Sequence, residues 1–185
     1  MKKLICIGTI VSFVLGIASC IIYANFTNGL YLSLAITFFT TFYHFIMRVI
    51  VASAVVLFRM NNTTRDLLPF RLGKKEQKFY GIIKVKEWKK YAPTYSKKSF
   101  DIRANSLETV MHNMINAQCG HTIIAVLSFL PLLFSKPLDG FLPFLITSVL
   151  AAFFDMQVVI IQRYNRANLS KILRRECYGK KALYR

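Results

Sequence analysis

The residues of this chain that could do chemistry are an imidazole, a group of amides, a basic pentapeptide and an acid inside an apolar run. His121 stands directly before the apolar run Thr122–Phe134, and Gln162-Arg163-Tyr164-Asn165-Arg166 closes a second run, Gly140–Ile161. Imidazole suits proton transfer near neutral pH. Asn113, Asn116 and Gln118, in the turns before His121, can donate hydrogen bonds to a developing oxyanion. Arg163 and Arg166 can hold phosphate. His121, Gln118 and Asn113 are the catalytic candidates; Asn116, Gln162, Arg163, Tyr164, Asn165 and Arg166 are candidates for binding. The other reading is structural: His121 caps a polar helix contact, and the two Arg anchor a span by touching lipid phosphates.

These groups need elements to position them, and the composition says which. Of 185 residues, 55% are hydrophobic, with a net charge of +17; mean hydropathy is +0.42. A soluble domain rarely carries so much apolar sequence. Four runs are long enough to cross a bilayer, which takes roughly 20 helical residues. They fall at about 4–23, 30–58, 120–135 and 140–161. The first reads as an uncleaved span. Ile17-Ala18-Ser19-Cys20 has the shape of a lipoprotein cleavage box, but Ile21-Ile22-Tyr23 follows where a polar tether belongs. The four cysteines (Cys6, Cys20, Cys119, Cys177) have no metal or redox spacing and read as packing residues. The expected fold is all-α: a polytopic membrane protein with four transmembrane helices in a single domain over 1–185.

Two runs are not clean. His44 and Arg48 interrupt the second and, four apart, share a helix face. Asp155 lies in the fourth, seven residues before Gln162, about two helical turns. Ionisable groups inside a span are costly and are functional candidates by default, so all three join the binding set. The structural alternatives are that Arg48 snorkels, that His44 bonds a neighbouring helix, or that Asp155 pairs with Arg48 inside the bundle.

Between the second and third runs the pattern breaks. Arg59–Arg103 holds thirteen Lys/Arg against four acids, interleaved with seven Phe, Tyr and Trp. That mixture suits a segment lying on an anionic membrane face. Phe79–Lys90 is predicted as a short amphipathic helix stopped by Pro93; Trp88, at headgroup level, and Lys89 join the binding candidates. Ser106, with Glu108 behind it, predicts a helix start, and that helix runs into the third span. Pro131 predicts a kink late in the span. The tail from Arg163 holds eight Lys/Arg and one acid. The positive-inside rule then places the loop 59–119, the tail 163–185 and both termini in the cytoplasm.

The order Lys86-Glu87-Trp88-Lys89, then Ala117-Gln118 with His121 three residues on, then Gln162-Arg163-Tyr164-Asn165-Arg166 followed by Leu169, resembles the glycosyl-4,4'-diaponeurosporenoate acyltransferases. The resemblance covers roughly Lys84–Leu173. It implies transfer of a fatty acyl chain to the sugar of a carotenoid glycoside, in a Gram-positive bacterial plasma membrane. The chain departs from the family pattern: Asn113 and Gln118 stand where the resemblance implies Glu, Asp155 where it implies Asn, and Gln157 where it implies Pro. Two amides in place of two Glu remove candidate general bases or metal ligands.

The leading expectation is therefore an acyltransferase acting on a glycolipid or lipid-linked sugar at the cytoplasmic face. The donor would be an acyl thioester such as acyl-CoA or acyl carrier protein; no cofactor and no metal are expected. The alternative is a non-catalytic scaffold or lipid-binding protein on the same frame. A third reading is a metal-dependent lipid enzyme using His44, His112 and His121. Membrane lipids account for the basic charge, so nucleic acid is not an expected partner. No P-loop, GxSxG, HExxH or Gly-rich dinucleotide turn occurs.

Overall fold

The computed structural model describes residues 2–57, 73–92, 98–138 and 140–183. Among the described residues all regular structure is helical, and four helices are long and apolar enough to cross a membrane. The chain divides into two compact units: Met1–Leu57 with Gly120–Met156, and Phe58–Cys119 with Gln157–Arg185.

In the first unit, α1 (Lys2–Phe26) and α2 (Gly29–Leu57) form an antiparallel pair. Thr27 ends α1 in the left-handed region at φ 46°, and the Asn28 side chain caps α2 by accepting from the Leu30 N–H at 2.9 Å. Glycine sets how closely the pair packs. A Cβ on Gly8 would come within 2.9 Å of the Phe45 ring, and one on Gly16 within 3.2 Å of Phe39. Small residues at helix contacts let membrane helices approach, and here aromatic rings fill the space. Phe13 packs on Phe39 and Phe42 with ring centroids 6.3 and 5.0 Å away. Hydroxyls within these helices bond backward to their own turn, as Thr9, Ser19, Thr40 and Ser53 do. That satisfies them where water is absent.

Helix α5 (Leu107–Leu127) starts well before the apolar run, at the predicted signal. The Ser106 hydroxyl accepts from the Thr109 N–H at 3.2 Å. The kink predicted at Pro131 takes a different form. The α-helix stops at Leu127 and a 3₁₀ segment, Leu130–Phe134, carries on. Proline has no N–H to give to the carbonyl four residues back, and that carbonyl, on Leu127, accepts instead from the Tyr43 hydroxyl at 2.9 Å. Helix α6 (Phe141–Leu183) is continuous through the pentapeptide.

In the second unit the predicted helix 79–90 is replaced by two. α3 (Lys74–Ile82) and α4 (Val85–Trp88) are separated at Lys84, which is left-handed at φ 50°. A 3₁₀ turn, Lys89–Tyr91, follows. The core is Val110, Met111, Met114, Ile115 and Leu169, with Phe100, Leu107 and Cys119 against it. Pro93, the basic residues Arg59, Arg65, Arg71 and Lys97, the aromatics Phe70 and Tyr95, and Asp139 of the second turn lie outside the described residues.

Gly16→Leu should overpack the α1–α2 contact and lower stability by about 1–3 kcal/mol. Gly29→Leu, with open space around it, should not. Reversible unfolding in detergent, with Gly29→Leu as control, checks this.

Candidate functional site

Among the described residues the first unit carries one acid in its interior. Asp155 on α6 is 0% exposed, and each of its oxygens is taken. Arg48 on α2 donates from Nη2 to Oδ2 at 2.6 Å. His121 on α5 places Nδ1 2.8 Å from Oδ1. With the carboxylate as acceptor, Nδ1 carries the proton and Nε2 is the free basic nitrogen. The His121 side chain is 29% exposed while Asp155 is sealed, so the imidazole is reachable and its partner is not. Arg48 also donates to the His44 carbonyl at 3.2 Å and lies over the Phe154 ring at 5.6 Å. Three helices thus hold one carboxylate, one guanidinium and one imidazole. This is the arrangement in which an acid orients a base through hydrogen bonding.

His121, Asp155 and Arg48 were separate candidates in the sequence, with Arg48–Asp155 pairing weighed as a structural alternative. The structure brings all three together. A signal for the His121–Asp155 pair was present: each stands seventeen residues from Leu138. In an antiparallel helical hairpin, equal distance from the turn puts two residues level. His44, beside them on α2, is buried, and its Nε2 has no hydrogen-bond partner among the described residues.

The second unit is built around a different acid, which sequence reasoning missed. Glu76, in the first turn of α3, receives Arg163 of α6 in a two-pronged contact: Nη2 donates to Oε2 at 2.7 Å, and Nε donates to Oε1. The Tyr80 hydroxyl, one turn along α3, also donates to Oε1. Burial alone would raise the Glu76 carboxyl, but hydrogen bonds from Arg163 and Tyr80 outweigh it and hold it below the ordinary value. Burial, with the bond to Glu76, pushes the Tyr80 phenol up to about 12. The partners are 87 residues apart, so no local pattern announces them; the i, i+4 spacing of Glu76 and Tyr80 was the only clue.

Other candidates take these places. Lys89 donates to the Asn165 side chain at 2.7 Å and lies 4.9 Å from the Tyr164 ring centroid. Tyr164 also meets Tyr80 edge-on. Trp88 is half-buried, its indole N–H donating to the Ile83 carbonyl at 3.0 Å across the Lys84 break. Asn113 donates to the Ser99 carbonyl at 2.8 Å. Gln118, Gln162 and Arg166 are buried, and Asn116 is half-buried. Among the described residues no three His, Cys, Asp or Glu side chains gather as a metal site requires. A metal reading on His44, His112 and His121 therefore has no cluster behind it.

An all-α membrane protein with a buried carboxylate orienting a part-exposed imidazole is the class these observations define. The family model described as glycosyl-4,4'-diaponeurosporenoate acyltransferase matches residues 56–175, more than half of the chain. The chain belongs to that family, whose name is that of an acyltransferase of carotenoid glycolipid biosynthesis. No curated protein and no solved structure matches it.

Two outcomes follow. Arg48→Ala leaves a buried carboxylate without its cation and should cost about 3–5 kcal/mol. Arg48→Met with Asp155→Leu should recover most of that, as a double-mutant cycle of unfolding in detergent would read. Glu76 contributes stability that is present above the ordinary carboxylate range and lost as pH falls through its depressed folded value. Hydrogen exchange in α3, corrected for the intrinsic pH effect, should rise on such acidification. Glu76→Gln should remove that pH response.

Proposed function

We propose that the protein transfers a fatty acyl group from an acyl thioester, such as acyl-CoA or acyl carrier protein, to a hydroxyl of a glycolipid or lipid-linked sugar. The observation that carries this reading is the His121 Nδ1–Asp155 Oδ1 bond of 2.8 Å, held from the far side by Arg48. The acceptor hydroxyl donates to His121 Nε2. As its oxygen adds to the thioester carbon, Nε2 takes the proton, and Asp155 steadies the imidazolium. The tetrahedral intermediate then expels the donor's thiolate, to which His121 returns the proton. A C–O bond has replaced a C–S bond, with no net proton consumed.

The remaining parts of the reading follow from charge. The positive-inside rule places the basic loop and tail, and with them both termini, at the cytoplasmic face of a bacterial plasma membrane. Their Lys and Arg would draw in a phosphorylated acyl carrier. Gln118, Asn116 and Asn113 are the candidates to stabilise the oxyanion, and Trp88, Lys89, Tyr164, Asn165 and Arg166 to meet the substrate. The non-catalytic scaffold remains a second reading, favoured by one observation: the Asn113 amide is already given to the Ser99 carbonyl.

Lipid extraction and mass spectrometry of cells with and without the chain tests the proposal. His121→Ala should accumulate in the membrane yet lose the acylated product. Arg48→Met with Asp155→Leu, which removes the orienting acid, should lower turnover by roughly 10²–10⁴-fold. Normal turnover by His121→Ala would sink the assigned role.

A further inference from the structure

The first unit holds a cavity of about 310 Å³ between α1, α2, the 3₁₀ segment and the start of α6. It is lined by Ala35, Ile36, Phe39, Leu130, Phe134 and Phe144, among others. Three lining residues carry polar atoms, and two of these hydroxyls are already spent on backbone. Thr40 Oγ1 bonds the Ile36 carbonyl at 2.8 Å, and the Tyr43 hydroxyl bonds the Leu127 carbonyl left open by Pro131. The third is the Cys20 thiol, a weak donor. The cavity therefore offers an occupant apolar contact and almost no hydrogen bonding, which suits hydrocarbon and not a sugar or a headgroup.

Its place on the helices relates it to His121. Tyr43, in its wall, directly precedes His44 and lies five residues before Arg48 on α2. On α5, Leu127 lies six residues past His121, or about 9 Å along the helix axis. Phe134, seven residues further at the tighter 3₁₀ rise of roughly 2 Å each, brings the path to about 23 Å. An extended hydrocarbon with C–C bonds of about 1.5 Å advances about 1.25 Å per carbon. An acyl carbonyl held at His121 would thus reach the cavity at about its seventh carbon and its end at about the eighteenth.

We propose that this cavity seats the distal half of the donor's fatty acyl chain and sets the length that is accepted. The proposal rests on the acyl-transfer reading above and adds the location of the hydrocarbon. A probe that needs no turnover tests it, so failure of either idea is visible separately. The full chain in nanodiscs is photolabelled with a sixteen-carbon fatty acid bearing a terminal diazirine. Label should saturate, fall on peptides carrying Pro131 and Phe144, and be competed by palmitate but not by octanoate. Ala35→Phe should abolish it, whereas Leu30→Phe, on the exposed side of the same helix, should not. Thr40→Leu serves as a second wall variant should Ala35→Phe fail to fold. In the turnover assay, Ala35→Leu should shift the favoured chain about two carbons shorter. Label spread over the exposed face of α1 without saturation, or octanoate competing as well as palmitate, would show bilayer lipid only and overturn the proposal.

Discussion

A carboxylate with no contact to solvent is the constraint on which the first unit depends. Asp155 is sealed inside a stretch of helix that reads as membrane-spanning. A lone acid there costs roughly 2.5–3.5 kcal/mol by insertion scales, and the cost is offset only if both oxygens find donors. Arg48 and His121 supply them from two other helices. Satisfying one residue therefore fixes the rotation of α2, α5 and α6 about their axes. Apolar packing alone would allow several rotations, because lipid tails are as apolar as the side chains they would replace. The buried acid selects among them, and the selection leaves His121 oriented and reachable.

The second unit uses the same device with different residues. Glu76 gathers the Arg163 fork and the Tyr80 hydroxyl. In a chain with 25 Lys and Arg but only 8 acids, cations are in excess and acids are scarce. Each of these inward acids is matched by a specific cation, Asp155 by Arg48 and Glu76 by Arg163. Arg163 illustrates the consequence. A residue that sequence alone offers to a phosphate is held by a carboxylate of its own chain, which fixes α3 against α6.

The sequence made the spans legible because apolar runs of that length admit few other structures. It also gave the start of α5, because Ser106 is a hydroxyl cap before a helical pattern. The break at Lys84 was hidden: a non-glycine residue in the left-handed region carries no signature, and Gly81 stands three residues too early. The continuation of α6 past Ile161 was equally hidden, since polar residues with good helix propensity look the same in a helix and in a tail. At the site, His121, Asp155 and Arg48 stood out singly because ionisable groups are rare in apolar runs. Their convergence needed the register of the hairpin, which is a tertiary property. Glu76 stood out not at all, being one charge among many in a loop where charge is common.

The separation of Arg48 from Asp155 along the chain has a bearing on how the protein is made. They are 107 residues apart, so at about 5–20 residues per second the ribosome needs roughly 5–20 s to deliver the acid after the arginine. During that interval α2 sits in the bilayer with an unneutralised cation, which must reach upward to the headgroups. The later arrival of α6 draws it inward. Closure of the bundle is thereby tied to the emergence of the last helix, and a nascent chain stalled before Asp155 has α2 and α5 without the acid that joins Arg48 to His121.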